Sequence, residues 1–537
     1  MSETYSLIYP PHYRYDDKDL VRSESPDLLR RLGAGLFFYN KNCRMEEYLT
    51  SHPDVIAYRR DTLREVMEKP KLLDLVRRMA QSLADIDSLV RIKERPDLSF
   101  EAQFYSIKEL EIYLDLVDML HEGFSELEND GTPVTSYGFV SLWQSVKDRI
   151  PACQKLRAGT NEMMTSIKSI KSVTIGFNLD ADLSPYEAGL LAVNTQPIRS
   201  GELIDRLLNF EIKKGEFSAL APMTAVSKRL TPKEQASVNM VFMSAMKKVY
   251  SGLLRTWSPA IRQYVTSGGC VWLRLLPELQ FIIAAADIVT QLEACALPLC
   301  YADIAPGNER RFTVQGLYNP AIALKLKEDE NPTAISKQMV YNSINFDSDG
   351  KIFILTGPNS GGKSVFTCGI GLVQVMFQLG LPVPAKSAVI SPVEGIFTHF
   401  AQDIHVSTQD GRLGSECERI KEIFEKLTPH ALVLLDETFS GTGSFEGAYL
   451  AADTLRALSA LGVHAIYCTH IHELTSHIQD INQNPSAKSR VDTLVAGSGL
   501  GDVRFSITRK APDGKSYAAR IAQKYGLSYD TLVQGKI

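Results

Sequence analysis

A glycine-rich loop between an apolar run and a helical pattern constrains this chain more than any other feature. The loop reads Gly-Pro-Asn-Ser-Gly-Gly-Lys-Ser and follows the β-branched and aromatic run Ile352 to Leu355. Such a loop joins a buried strand to a helix, because its glycines let backbone N–H groups curl around a phosphate. Lys363 would reach the β/γ oxygens, and the Ser364 hydroxyl would bind Mg²⁺. The predicted ATP-binding residues are Gly357, Pro358, Asn359, Ser360, Gly361, Gly362, Lys363, Ser364 and Val365.

A second apolar run ends in two carboxylates. The run from Ala431 to Leu435 carries no polar residue and is followed directly by Asp436 and Glu437. Such a run is typical of a strand buried on both faces of a parallel sheet, and ligands bind at the carboxyl ends of those strands. Asp436 would hold Mg²⁺ directly or through water, and Glu437 would orient or deprotonate the attacking water. Taken alone, a buried strand with a polar end is an equally ordinary structural feature.

A third apolar run, Val463 to Cys468, ends in Thr469 and His470. A histidine there could sense the γ-phosphate or position the water, although a single histidine at a strand end is more often structural. The order of loop, carboxylates and histidine along the chain favours the functional interpretation. The predicted catalytic residues are therefore Glu437, His470 and Lys363, and the predicted magnesium ligands are Ser364 and Asp436.

Ser415 and Glu418, which lie between the loop and the carboxylates, have the spacing of a capping box. This spacing predicts that a helix starts at Ser415, after a flexible stretch that contains Gly411 and Gly414. One interpretation is a helix cap and nothing more. The other is that the serine reads a phosphate of a nucleotide bound by a second subunit, because exposed helix N-termini bind anions. The sequence leaves both interpretations open.

Taken together, these residues resemble the MutS family of DNA mismatch repair ATPases, which belong to the ABC-type class. The loop matches the family's GPNxGGKS, and further matches follow in the family's order. They are Val383-Pro384-Ala385, Ile396-Phe397-Thr398, Asp436-Glu437 with Gly441-Thr442, and Thr469-His470 with Glu473-Leu474. The resemblance implies an α/β ABC-type P-loop ATPase domain at the C-terminal side, preceded by a mostly α-helical core and lever region with a small β-containing clamp-like insertion. It also implies hydrolysis of ATP with Mg²⁺ as the cofactor.

Changes in residue pattern divide the chain, because 537 residues are too many for one compact core. Helical spacing predicts a helical lead-in at 1–97 and a helical core and lever domain at 98–310. Period-two alternation predicts a reduced clamp-like insertion with strands at about 172–222. Strand and helix signals then alternate, which predicts the ATPase domain at 311–508. The segment 509–537 resembles the start of the family's helix-turn-helix dimerisation tail.

The resemblance further implies a homodimer with composite ATP sites, in which Ser415 reaches the γ-phosphate of the other subunit and ATP moves the levers and clamp on DNA. The family's mismatch readers carry a Phe-x-Glu motif, whereas the nearest string here is Phe38-Tyr39-Asn40. We therefore expect no mismatch reading of that kind, and we expect no nuclease domain after the tail. Phe439 and Ser440 replace the family's usual Gly-Arg pair, and Val365 replaces a threonine, which leaves the hydrolysis rate open.

Nucleic-acid contacts are only weakly indicated. The net charge of −5 argues against coating of nucleic acid through bulk charge but allows a local basic patch. Basic residues in and beside the insertion could bind phosphates without reading bases, although each is more often an ordinary solvated charge. These candidate DNA contacts are Arg199, Lys213, Lys214, Lys228 and Arg229. Two alternatives stay open. One is an ATP-gated binder of RNA or a ribosome, or a protein-partner scaffold, that uses the same motor. The other is an inactive nucleotide-dependent structural dimer.

The compartment follows from the cysteines and the N-terminus. The eight cysteines form no CxxC pair and no metal-ligand spacing, which indicates reduced thiols in an intracellular protein. The N-terminus lacks both the basic start and the apolar core of a secretion signal. We also expect that no run of apolar residues is long enough to span a bilayer. The sequence therefore predicts a cytoplasmic protein with no membrane partner.

Overall fold

The chain forms two compact units in the structure, which is a computed structural model. The residues that it describes are 5–14, 16–93, 101–169, 171–179, 181, 185–197, 199–200, 218–219, 264, 269–329, 331–358, 361–400, 411–497, 505–511, 527 and 532. The α/β unit consists of Met1–Leu73, Thr135–Phe139 and Pro277–Ile537, and the helical unit consists of Asp74–Val134 and Val140–Leu276.

Helices and strands within the described residues are numbered in chain order. The helices are α1 (Leu28–Arg31), α2 (Pro53–Glu68), α3 (Pro70–Lys93), α4 (Glu101–Asn129), α5 (Tyr137–Ser169), α6 (Leu276–Glu293), α7 (Pro320–Asp329), α8 (Pro332–Gln338), α9 (Lys363–Gln378), α10 (Gly411–Lys426), α11 (Ser444–Leu461) and α12 (Ile478–Asn482). The strands are β1 (Ser172–Leu179), β2 (Pro185–Asn194), β3 (Arg199–Ser200), β4 (Ser218–Ala219), β5 (Asp303–Ile304), β6 (Phe312–Leu317), β7 (Asn342–Phe346), β8 (Ile352–Thr356), β9 (Ser387–Ile390), β10 (Gly395–Phe400), β11 (Ala431–Asp436), β12 (His464–Cys468), β13 (Val491–Ala496) and β14 (Ile507–Arg509).

The central sheet of the α/β unit contains six strands in the order β10-β11-β12-β8-β13-β14. Neighbouring strands are parallel except for the antiparallel pair β13–β14. Because successive side chains point to opposite faces, Val433 and Leu435 of β11 pack into the core that α11 covers, whereas Leu434 lies beside Gly371 of α9. Coverage of both faces explains why β8, β11 and β12 are mostly apolar and are buried along their whole length.

Three neighbouring strands of this sheet end at one edge. Strand β12 pairs with both β11 and β8, so that Cys468 lies opposite Asp436 on one side and Leu355 on the other. The glycine-rich loop, Glu437 and Thr469 each follow one of these strand ends. Segments that are more than a hundred residues apart in sequence are thereby brought together.

A smaller sheet in the α/β unit has the order β5-β9-β6-β7. Its strand β6 leads into α7, whose start is fixed by the Asn319 side chain: Oδ1 accepts a hydrogen bond from the Ala321 backbone N–H at 2.9 Å. A separate small core of Cys295, Tyr318, Ala323 and Ile335 lies at this position. This sheet and its core hold α7 next to the start of α9, where Asn319 Nδ2 donates to the carbonyl of Val365 at 2.9 Å.

The N-terminal segment extends the central sheet instead of forming a separate lead-in. Arg22 forms a parallel bridge with Gly395, at the exposed edge that β10 would otherwise present. Its carbonyl accepts from the Ile396 backbone N–H at 2.9 Å, and the Glu24 carboxylate accepts from the Thr398 backbone N–H at 3.0 Å. The divisions between the units, at 73/74 and 276/277, therefore differ from the boundaries predicted at 97 and 310. The helical spacing of apolar residues predicts a helix, but it does not show against which core the helix packs.

Long helices build the helical unit. Phe124 of α4 stacks on Trp143 of α5 with ring centroids 5.3 Å apart. A Cβ at Gly123 would lie 2.6 Å from Leu75 Cδ1, so α3 and α4 approach too closely for a larger residue there. The alternation that begins at Ser172 coincides with an antiparallel pair of strands, β1 and β2. A β-containing insertion thus follows α5, and its function as a clamp remains a prediction.

One helical stretch, Leu273–Glu293, is long and apolar enough by length and composition to cross a membrane. The expectation that no run reaches this length is therefore wrong, because Leu273–Glu293 is apolar on average and 21 residues long. Buried core helices pass the same test, and 61% of the tested window is buried inside the protein. Glu278 on this helix accepts hydrogen bonds from Ser6 Oγ and the Leu7 backbone N–H. This single helix is weak support for a membrane segment.

His464 is a buried titratable group at the start of β12. Its ring stacks on Phe346 with centroids 4.5 Å apart and an interplanar angle of 6°. Burial, together with the smaller effect of the nearby charges of Lys351, Arg310 and His430, lowers the pKa of His464 from 6.5 to about 3. The ring is therefore neutral wherever the protein is folded near neutral pH.

We expect acid to destabilise the protein through His464. The unfolded chain takes up this proton near pH 6.5 and the folded chain only near pH 3, so the free energy of unfolding falls as the pH drops between these values and is unaffected above them. The slope from this group is at most about 1.4 kcal/mol per pH unit. Denaturant unfolding over this range should show a steeper loss for the wild type than for His464→Phe, which keeps a stacked ring without the titration. Parallel losses would contradict the assignment.

Candidate nucleotide-binding site

The glycine-rich loop connects the end of β8 at Thr356 to the start of α9 at Lys363. Gly357 and Gly362 adopt φ angles of +138° and +80°, a region that favours glycine. A Cβ at Gly357 would lie 2.8 Å from the Cβ of Ala496, and one at Gly361 would lie 2.9 Å from the carbonyl oxygen of Pro358. Glycine is therefore required at these positions for the tight turn of the loop and for its close approach to Ala496. Two predicted members of the loop, Asn359 and Ser360, lie outside the described residues.

Lys363 is buried at the first position of α9, with its ammonium inside the curve of the loop. Its Nζ donates to the carbonyl oxygens of Gly357 and Pro358 at 3.0 Å and 3.1 Å. A buried ammonium must keep hydrogen-bond acceptors, and these two carbonyls provide them. The arrangement holds a positive charge at the place where the sequence predicts phosphate oxygens.

Asp436 and Ser364 meet at the edge of the sheet. The Asp436 carboxylate is buried next to Ser364, the second residue of α9, and its Oδ1 has no hydrogen-bond partner within the described part of the chain. Burial raises the pKa of the Asp436 carboxyl, and the charge of Glu437 raises it further, whereas the Ser364 hydrogen bond and the Lys363 charge act in the opposite direction. A buried carboxylate oxygen without a partner is a place where a bound cation or a water can be held.

The same two residues fit Mg²⁺. A hydroxyl and a carboxylate are the hard oxygen ligands that this ion takes, and it usually binds one or two carboxylates while keeping waters and phosphate oxygens. Among the described residues no cluster of three or more His, Cys, Asp or Glu offers a softer alternative. The structure therefore brings the two predicted magnesium ligands together next to Lys363. A bound Mg²⁺ would neutralise charge on phosphate oxygens at this position.

Glu437 and His470 lie beside the metal ligands on the exposed side of the site. Glu437 Oε1 is 3.8 Å from His470 Nδ1, and both side chains are partly exposed. Glu437 adopts a φ of +54°, unusual for a residue other than glycine, and its backbone N–H donates to the Cys468 carbonyl at 2.9 Å. Such left-handed backbone is costly and occurs often at functional sites. Here it turns the chain directly after Asp436, so the two carboxylates point to different surroundings.

Ser415 does not lie where the capping box predicted. Helix α10 begins at Gly411, so Ser415 is in the second turn, and its side chain is buried. The helix extends through the glycines because Leu413, Ile420 and Ile423 pack with the core beneath the central sheet. A buried serine in its own subunit is not exposed at a helix N-terminus. The predicted helix start was therefore wrong, and the geometry within one subunit gives no support to Ser415 as a reader of the partner's nucleotide.

The predicted DNA contacts are mostly beyond the described residues. Arg199 lies on β3, which pairs with β4, but its side chain is not among those described. Lys213, Lys214, Lys228 and Arg229 lie outside the described residues. These five assignments stay predictions.

An apolar cavity opens beside the loop. Its volume is about 290 Å³, and it adjoins Gly362 and Val365 at the start of α9. Aromatic and aliphatic side chains line most of its wall: Tyr318, Ile322, Leu326, Phe366 and Phe505. Sequence analysis missed this cavity, because its wall combines α7, α9 and the residue before β14, which no single motif connects.

Two further residues at the site were missed. Thr367, in the second turn of α9, and Cys468, at the end of β12, are both fully buried, with Thr367 Oγ1 only 2.9 Å from Cys468 Sγ. In the parallel pair of β11 and β12, Cys468 is the register partner of Asp436. The one available signal was positional, because Cys468 directly precedes Thr469-His470 at the end of a buried strand.

The fold and the site define a class: an α/β domain with a glycine-rich loop and two carboxylates at one edge of a mostly parallel sheet. Residues 353–534 match the family described as MutS domain V. A stretch of 193 residues is 31% identical to the DNA mismatch repair protein MutS 1 of Haloarcula marismortui and covers 35% of this chain. This chain therefore contains a segment similar to MutS domain V. It spans 21% of the length of that relative.

We expect Asp436→Asn to have opposite effects on the metal-free and the metal-bound protein. The amide removes a buried charge that is only partly compensated, so the metal-free variant should be more stable by about 1–3 kcal/mol. It also removes the anionic ligand, so the stabilisation that Mg²⁺ and ATP give together should be lost. Thermal unfolding with and without Mg²⁺ and ATP measures both effects. Asp453→Asn, at an exposed position, is the matched control and should change neither.

Proposed function

We propose that this chain is a Mg²⁺-dependent ATPase that hydrolyses ATP at the loop between β8 and α9. The observation that carries the proposal is the buried Asp436 carboxylate, which lies next to Ser364 and has its Oδ1 without a partner among the described residues. With Lys363 buried in the adjacent loop, the site offers a cation and a metal position to the phosphates of one nucleotide. The match of residues 353–534 to MutS domain V supports an ATP-binding function for the same domain.

In the proposed reaction Glu437 is the group that orients or deprotonates the attacking water. Its carboxylate follows Asp436 directly but is partly exposed, whereas that of Asp436 is buried. His470 lies within 3.8 Å and would share this water or contact the γ-phosphate. Lys363 would stabilise the charge that develops on the transferred phosphoryl oxygens. Water, metal and phosphate are thus assigned to separate side chains.

The apolar cavity beside Gly362 supports a purine as the base. Its aromatic wall, which includes Tyr318 and Phe505, suits stacking against a flat ring, and its volume of about 290 Å³ is large enough for one base. The Asn319 amide at its edge is held by the carbonyl of Val365 and by the backbone at the start of α7. The base would therefore lie over the start of α9 while the phosphates lie in the loop.

Exposed apolar side chains near the site support a homodimer. Val365 follows the loop, and Phe445 and Tyr449 lie one turn apart on α11, all three exposed to solvent. Residues at this spacing share one face of a helix, and an exposed apolar face is a common mark of an interface. We propose that a second copy covers this face, so that each nucleotide lies between two subunits.

We propose DNA as the macromolecular partner and the cytoplasm as the location. The named relative, a DNA mismatch repair protein, supports DNA as the partner, together with the antiparallel β1–β2 pair that follows α5 in the chain and suits a clamp. The cysteines support the cytoplasm, because each cysteine in the described residues is without a disulfide. ATP binding would change the arrangement of the predicted lever and clamp arms, provided that the two arrangements bind the nucleotide with different affinities.

We expect Glu437→Gln to lower ATP turnover by at least about a hundredfold while ATP still binds, because a general base is lost and the phosphate contacts stay. Turnover and nucleotide binding should be measured separately on the same protein. Glu422→Gln, an exposed change on α10, should leave both unchanged. Unchanged turnover in Glu437→Gln would reject the proposed base and favour an inactive structural dimer.

The DNA part of the proposal is tested with the same Glu437→Gln variant, trapped with bound ATP. Its affinity for duplex, branched and single-stranded DNA should depend on ATP and fall steeply with salt, because phosphate contacts release counterions. Molecular mass measured in parallel reports the dimer. If the affinity for each kind of DNA is the same with and without ATP, the DNA assignment is contradicted and the ATPase assignment stays intact.

A further inference from the structure

The bend at 437–439, directly after β11, has unusual backbone geometry. Glu437 and Phe439 adopt φ angles of +54° and +63°, a left-handed region that residues other than glycine seldom occupy. Such backbone is costly and persists only where the surrounding structure holds it. Thr438 lies between these two residues and is buried. The direction of the Glu437 carboxylate therefore depends on the contacts that hold this bend.

Strand β12 holds the bend from one side. The Tyr467 side chain is fully buried, and its hydroxyl donates to the Thr438 carbonyl at 2.9 Å. Burial raises the pKa of this hydroxyl, so it keeps its proton and remains a donor. The backbone N–H of Glu437 donates to the carbonyl of Cys468 at 2.9 Å. Two consecutive residues of β12 thus bind two consecutive residues of the bend.

Strand β10 holds the same bend from the other side. His399 is buried and is the register partner of Leu435 in the parallel pair of β10 and β11. Its Nδ1 lies 3.0 Å from Thr438 Oγ1. A hydroxyl can donate or accept, so this pair is hydrogen-bonded with either tautomer of the neutral ring. Thr438 is therefore bound through its carbonyl to β12 and through its side chain to β10.

We propose that His399 and Tyr467 are positioning residues that hold Thr438 from the two strands beside β11 and thereby fix the Glu437 carboxylate at the ATP site. The inference rests on the proposed ATPase, in which Glu437 orients or deprotonates the attacking water. A base must lie within hydrogen-bond reach of the water that it activates. Because a misplacement of about 1 Å can lower a rate by about a hundredfold, loss of these hydrogen bonds should slow the chemical step.

Kinetics distinguish a positioning cluster from a cluster that only stabilises the fold. Hydrogen-bonded polar groups are also found in ordinary protein cores. Loss of a purely stabilising hydrogen bond lowers the thermal unfolding midpoint and leaves the turnover of the folded protein unchanged. Loss of a positioning residue lowers kcat of the folded protein and leaves ATP affinity unchanged, because the phosphate contacts lie elsewhere.

Three substitutions and a control test the inference on the full chain with Mg²⁺. Tyr467→Phe removes the donor to the Thr438 carbonyl and keeps the ring. Thr438→Val removes the hydroxyl that pairs with His399, whereas Thr438→Ser keeps a hydroxyl there. The control is Thr454→Val, which removes a buried hydroxyl on α11 that donates to the Leu450 carbonyl. The measurements are kcat, affinity for a non-hydrolysable ATP analogue and the thermal unfolding midpoint.

Tyr467→Phe and Thr438→Val should each lower kcat by about tenfold or more, with analogue affinity within about twofold of the wild type. Thr438→Ser should keep most of the turnover, and Thr454→Val should keep the wild-type kcat. Added to Glu437→Gln, Tyr467→Phe should cause no further loss, because the group that it positions is already gone.

Unchanged kcat in folded Tyr467→Phe or folded Thr438→Val would overturn the inference. It would also be overturned by an equal loss in Thr438→Val and Thr438→Ser, by a loss of analogue affinity as large as the loss of kcat, or by a full further loss in the Glu437→Gln background. If one of the two variants does not fold, the other decides the outcome. A wild type that does not hydrolyse ATP would overturn the proposed function instead.

Discussion

The candidate site depends on one interaction, the contact between the buried Asp436 carboxylate and the Ser364 hydroxyl at the edge of the central sheet. A carboxylate with an unsatisfied oxygen is costly to bury, and the raised pKa of Asp436 expresses that cost. Proteins retain such groups where a ligand compensates for them. The glycines of the loop, the buried ammonium of Lys363 and the strand ends of β8, β11 and β12 all converge on this contact.

The architecture explains how so small a contact is held in place. Both faces of the central sheet are packed, with α11 over Val433 and Leu435 and with α9 over Leu434. The N-terminal segment closes the outer edge through Arg22 and Glu24, so β10 has a partner on both sides. Leu32, which follows α1, approaches Gly371 of α9 so closely that a Cβ there would lie 2.5 Å from it. Residues far from the loop thereby restrict the position of the helix that begins with Lys363.

The sequence predicted those features of the site that depend on local pattern. Continuous apolar runs identify strands buried on both faces, and in a parallel sheet their carboxyl ends meet, which is why Ser364, Asp436, Glu437 and His470 are found together. Features that depend on tertiary packing were missed or misplaced. The start of α10 shifted from Ser415 to Gly411 because core contacts of Leu413 outweigh the local preference of glycine. Cys468 looked like one more apolar residue of its strand, and only the register shows that it lies beside Asp436.

A crystal structure of the protein with Mn²⁺ and a non-hydrolysable ATP analogue tests the central claim most directly. Anomalous scattering would locate the ion independently of the nucleotide. The account predicts one peak between Ser364 Oγ and Asp436 Oδ1, at about the 2.1 Å expected for a magnesium site or through one bridging water, with a phosphate oxygen in the same shell. An ion held by Glu437 or His470, with Asp436 Oδ1 still without a partner, would contradict the account.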